Sequence, residues 1–145
     1  KNYMYANSIH LIDYINIFCR GKIKEISDVI KLKQQKSKYL CKKILFSSGD
    51  CVLYTAIWNA PERWSVNINM SMLRLELKPL EELKVQHGND RKMKLIKINN
   101  DDLNFKPGLK NIIKEILKKI DGKSSSLTTL EEGLNLMNLI KRIYE

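Results

Sequence analysis

No Gly-x-Gly-x-x-Gly and no Gly-x-x-x-x-Gly-Lys-Ser/Thr occurs in the sequence, so nothing in it would cradle a dinucleotide or a triphosphate. No apolar run approaches the roughly 20 residues needed to span a bilayer. Cysteine is limited to Cys19, Cys41 and Cys51, an odd number in no metal-like spacing. That argues against a disulfide framework or a zinc site and fits a reducing cytoplasm, with all three expected as buried thiols. The opening Lys1-Asn2-Tyr3-Met4 has no initiator methionine and no signal-peptide pattern, so the chain reads as a piece of something longer. No internal repeat is present.

What is there is ordinary for a soluble globular protein: 145 residues, 43% hydrophobic and 29% charged. A chain of this length buries about two-thirds of its unfolded surface, enough for one domain with a core. The formal charge of +10 invites a nucleic-acid reading, because clustered cations release counterions from phosphates. Lysine, isoleucine and asparagine are abundant all along the chain, however, and no binding motif accompanies them, so no nucleic-acid partner is expected.

Asn7 and Ser8 offer N-cap oxygens to a short helix whose apolar arc is Leu11, Ile12, Tyr14, Ile15, Phe18 and Cys19, closed by Gly21. From Ile23 to about Gln86 the apolar spacing becomes strand-like, as at Ile26, Ile30 and Leu32, with Ser47-Ser48-Gly49-Asp50 as a hairpin turn. Alternation on even positions from Trp64 to Met72 passes to odd positions at Leu73, Leu75 and Leu77, which predicts a turn or bulge near Met70–Leu73 that interrupts the sheet. Cys51–Trp58 is apolar in both registers, which predicts a strand covered on both faces: one by helices, the other by a second subunit. A homo-oligomer is therefore expected.

After Pro107-Gly108 an amphipathic helix carries Leu109, Ile112, Ile113, Ile116, Leu117 and Ile120 against a lysine face. Thr129-Leu130-Glu131-Glu132 has the form of a capping box for a last helix, with Leu130, Leu134, Met137, Ile140 and Ile143 expected inward. Helix, strands, then two helices make an α+β domain: an antiparallel-rich, mixed sheet with helices on one face.

His10 and Asp13 lie three positions apart on one helical turn, so a carboxylate could orient the imidazole. In a first turn the helix dipole disfavours a charged ring and suits a general base. The competing reading is a histidine hydrogen-bonded at the edge of the core. His87, beside Gly88-Asn89-Asp90, reads as exposed. Trp58-Asn59-Ala60-Pro61-Glu62-Arg63-Trp64 pairs aromatic faces with Arg and Asn donors, as polyhydroxy ligands require, and equally fits two tryptophans packed on the core.

Asn7-Ser8-Ile9-His10-Leu11-Ile12-Asp13, Trp58–Trp64 with Leu73–Leu80, and Leu-Glu-Glu-Gly with Leu-Ile-Lys-Arg-Ile-Tyr in Thr129–Tyr144 together resemble one family over nearly the whole chain. It is the glucose–fructose oxidoreductase, inositol dehydrogenase and MocA family of NAD(P)-dependent enzymes. The resemblance implies that residues 1–145 form its C-terminal substrate and oligomerisation domain. It implies His10 as the catalytic residue facing substrate and nicotinamide, with Asn7, Asp13, Trp58, Arg63 and Trp64 lining the substrate. Family members carry NAD or NADP in a preceding Rossmann domain, which also supplies a lysine from a Glu-Lys-Pro motif; neither is in this sequence. The fragment alone is expected to bind no cofactor and no metal and to be inert. Ala6 stands where many members have an aspartate, which implies another sugar with Tyr5 or Asn7 near the site, or a weakened redox role. Asn-Ser before the histidine resembles members linked to surface-polysaccharide sugars, so a sugar, nucleotide sugar or cyclitol is the implied substrate. The competing function is a non-catalytic sugar-binding or protein-interaction module that keeps only the fold.

Overall fold

The computed structural model describes residues 4–30, 39–58, 60, 61, 63–97 and 100–145. They fall into two compact units, one of Lys1–Glu62 with Leu130–Glu145 and one of Arg63–Thr129.

The first unit opens with a π-helical turn, Met4–Ser8, that runs directly into helix α1, Ile9–Phe18. Strands β1 (Ile23–Ile30), β2 (Tyr39–Phe46) and β3 (Cys51–Ile57) form an antiparallel sheet in that order, and helix α4 (Leu130–Tyr144) returns to it. On β2 every even residue, Leu40, Lys42, Ile44 and Phe46, is buried, as the two-residue period of a pleated strand requires. Register sets Leu40 opposite Ala56, Lys42 opposite Tyr54 and Ile44 opposite Val52, so these residues share the face that packs on Ile12 and Ile15 of α1 and on α4. The opposite face is open: Leu53 is 68% exposed and Ile57 59%. Among the described residues of the first unit, β3 is therefore covered on one side. Leu32, expected in the strand pattern, lies outside the described residues.

The turn from β2 to β3 clasps the link between α1 and β1. Arg20 holds Asp50 at 2.8 Å through its guanidinium, and the Arg20 backbone N–H donates to the same carboxylate at 2.8 Å. Ser48 Oγ donates to the Arg20 carbonyl at 2.6 Å, and the Lys22 N–H donates to Ser47 Oγ at 2.9 Å. Gly21, at φ +78°, is required there because a Cβ would collide with Ser47 Oγ. Helix α1 has already ended at Phe18, so Gly21 serves the clasp and not the helix end.

In the second unit β4 (Val66–Met70), β5 (Leu73–Leu77), β6 (Leu83–His87) and β7 (Lys94–Leu95) form an antiparallel sheet in sequence order. Ser71 and Met72 make the turn between β4 and β5. The turn expected near Met70–Leu73 is present, but it joins two neighbouring strands of one sheet and does not interrupt it. Val66 faces Leu77, Ile68 faces Leu75 and Met70 faces Leu73, so even positions of β4 and odd positions of β5 share one apolar face. The other face is polar, with Glu76 between Arg74 at 3.4 Å and Lys84 at 3.5 Å.

A short helix α2 (Asn100–Asn104) leads to α3 (Leu109–Ile120). Asp101 takes Lys110 at 2.6 Å, and Asp102 accepts the Gly108 N–H at 2.9 Å. Glu115 accepts from Lys118 Nζ at 2.6 Å and from the Ser126 N–H at 2.7 Å, holding the Ser-rich loop back on α3. These bonds, Lys118 foremost, hold the Glu115 carboxyl down to about 2. None of the α3 residues is buried, its six expected core residues included.

Three expectations are corrected. On α4 the buried stripe is Leu136, Leu139, Ile140 and Ile143, while Leu130, Leu134 and Met137 are exposed, Leu130 at 96%. The helix carries two apolar stripes on different sides, and only one meets the sheet. Cys19 and Cys41 are half-buried but Cys51 is exposed, because odd residues of β3 face away from the core. Ser8 makes no side-chain cap bond: it has right-handed helical φ and ψ of −70° and −19°, so the backbone does not break there as an N-cap would.

Candidate active site

Helix α1 buries Ile12 and Ile15 on one side, which leaves His10 and Asp13 exposed on another. The three-residue spacing keeps the two on neighbouring positions of one helix surface. His10 follows a π turn of continuing helical backbone, so it does not sit at an open helix N-terminus. The dipole argument for a neutral imidazole loses its basis there. Asn7 is half-buried within the π turn, beside Ser8.

A hydroxyl cluster that sequence reasoning missed lies next to this segment. Tyr144 Oη is 2.7 Å from Ser8 Oγ and 2.7 Å from Tyr54 Oη. The Tyr144 ring also meets Tyr54 edge-on at 6.2 Å and Trp58 at 6.3 Å. Burial pushes the Tyr54 phenol well above its ordinary range, so it stays protonated. Tyr54 was legible as an even, core-facing residue of its strand. Its hydroxyl partner lies 90 residues away on α4, and no local pattern announces such a pair.

Trp58 follows β3, is half-buried, and packs at the margin of the first core. Arg63 and Trp64 precede β4 in the second unit, where both are exposed, Trp64 at 42%. Asn59 and Glu62 of the same loop lie outside the described residues. His87 ends β6 and is exposed. Among the described residues no three His, Cys, Asp or Glu side chains gather in a way that could hold a metal ion, and no helix is long and apolar enough to cross a membrane.

The described residues do not fit a nicotinamide dinucleotide. Such cofactors sit where parallel strands hand over, through a glycine turn, to helix N-termini. Every ladder here is antiparallel.

No family model and no curated protein matches the sequence. The fold is similar to that of UDP-N-acetylglucosamine 3-dehydrogenase GnnA from Acidithiobacillus ferrooxidans, with a TM-score of 0.72 at 13% identity over 94% of this chain. The chain spans 44% of the length of that protein. At this identity the likeness establishes the fold: an α+β arrangement of antiparallel sheets and helices shared with part of a nucleotide-sugar dehydrogenase.

Proposed function

We propose that residues 1–145 are the substrate-side domain of a nicotinamide-dependent oxidoreductase that acts on a hydroxyl of a sugar, nucleotide sugar or cyclitol, in surface-polysaccharide sugar metabolism. The observation that carries this reading is the fold likeness to a UDP-N-acetylglucosamine 3-dehydrogenase over 94% of the chain. The exposed His10 and Asp13 on α1 support it.

The chemistry assigned to this chain is the proton's. His10 accepts the proton of the substrate hydroxyl as that carbon is oxidised, and Asp13 on the same helix surface steadies the imidazole. Asn7 supplies an amide to the substrate and Trp58 an aromatic wall. Arg63 and Trp64 belong to the second unit, where each is exposed. NAD or NADP supplies the redox chemistry and is held by a part of the protein other than this domain. The outer face of the β1–β3 sheet, with Leu53 and Ile57 bare, is proposed to meet a second copy.

One observation favours a second reading. Ala6 stands where the resembling enzymes carry an aspartate, which fits a module that keeps the fold and binds a sugar without oxidising it. Calorimetry on this chain tests the division of labour. NADH and NADPH are expected to give no binding heat, and micromolar binding of either would contradict the assignment of the cofactor elsewhere.

A further inference from the structure

Ser8 occupies the position of an N-cap, yet its hydroxyl caps nothing. It lies instead 2.7 Å from Tyr144 Oη, across 136 residues of sequence, and Tyr144 Oη lies 2.7 Å from Tyr54 Oη. Three hydroxyls from three elements, the π turn, β3 and the end of α4, therefore meet at one oxygen. Each carries one proton and two lone pairs, so the trio can satisfy both bonds at once. The same Tyr144 ring stands edge-on to Trp58 at 64°.

We propose that Tyr144 is a positioning residue, which ties the π turn carrying Asn7, and through it His10, to the middle of β3 and to Trp58. The inference rests on the reading of His10 as the proton acceptor and adds what holds it. A π turn is a rare form of helical backbone, found mostly as single turns and often at functional sites. The buried anchors of α1, Ile12 and Ile15, lie beyond His10 in the chain. Before His10, Tyr5 and Ile9 pack at the margin of the core, and Ser8 adds a directed hydrogen bond to Tyr144. Without that bond the segment before His10 loses its directed hold and keeps only its packing on the core, and a displacement of about 1 Å in a reacting group can cost about a hundredfold in rate.

Amide hydrogen exchange on this chain, followed by NMR, tests the proposal without requiring turnover. Failure of the oxidoreductase reading would therefore leave this test intact. Tyr144→Phe keeps the ring and removes the hydroxyl. Amides of residues 7–10 are expected to exchange roughly three- to tenfold faster, the loss of one hydrogen bond, while β2 amides keep their rates. Ser8→Ala should reproduce the pattern at residues 7–10, and the double variant should add little there to either single one, because both remove the Ser8–Tyr144 bond, Tyr144→Phe losing the Tyr54 bond as well. Ser8→Thr, which restores a hydroxyl, should return residues 7–10 to wild-type rates. Unchanged exchange at residues 7–10 would overturn the proposal. Acceleration spread evenly over β2 and α4 would also overturn it, since Tyr144 would then contribute only general stability.

Discussion

Lys42 lies in the middle of a core face at 6% exposure, where an alternating strand pattern leads one to expect an aliphatic residue. Its ammonium reaches Asp28 Oδ1 at 2.8 Å, and register explains the meeting, because Asp28 is the residue opposite it on β1. A buried charge is tolerated when paired, and the pair is worth less than it costs to break. Asp28→Ala, which strands the lysine, is expected to lower stability by about 2 kcal/mol, and Lys42→Met should stay within about 1 kcal/mol of wild type. Urea denaturation of both variants checks the order; a larger loss for Lys42→Met would contradict it. Ser8 gives the same lesson in reverse. Its residue type signals an N-cap, and the bond it makes is to a tyrosine at the far end of the chain, which no local signal reveals.

The elements were legible in unequal measure. Parity alone marks β4 and β5, because a two-residue turn carries even positions of one strand and odd positions of the next to the same face. The period of the last helix marks Ile140 and Ile143 as inward, as they are, and also Leu130, Leu134 and Met137, which are exposed. Leu130, Leu134 and Met137 make as good a stripe on paper as Leu136, Leu139, Ile140 and Ile143, and only packing decides between them. Ile143→Ala should accordingly cost about 2–5 kcal/mol and Leu134→Ala within about 0.5 kcal/mol. Equal losses in thermal melts would mean that both stripes are covered. The glycine-rich stretches divide in a similar way: Gly49 and Gly108 mark the turns expected of them, whereas Gly21 answers to a side chain 26 residues later, Ser47.

For the whole molecule, the order of helix, strands and helices was enough to reach an α+β fold of antiparallel strands. The division was not: the described residues form two sheets, and the second begins after the Trp58–Trp64 loop, whereas the break in the sheet expected at the Met70–Leu73 turn is a hairpin within the second. Register patterns report which face a residue takes, not where one ladder stops. The bare outer face of the β1–β3 sheet leads to an expectation at this scale. Light scattering should find more than one chain per particle, and Leu53→Lys should shift the population toward single chains. A well-behaved single chain at high concentration would count against the face as an interface. The account depends most on His10. Its most direct test is turnover of the full-length protein against a panel of nucleotide sugars and free sugars, followed by nicotinamide absorbance, for wild type and His10→Asn. The account predicts substrate-dependent nicotinamide reduction that His10→Asn lowers roughly a hundredfold or more with an unchanged melting temperature. Near-normal turnover in His10→Asn with a lowered melting temperature, or no reduction by the wild type with any member of the panel, would contradict it.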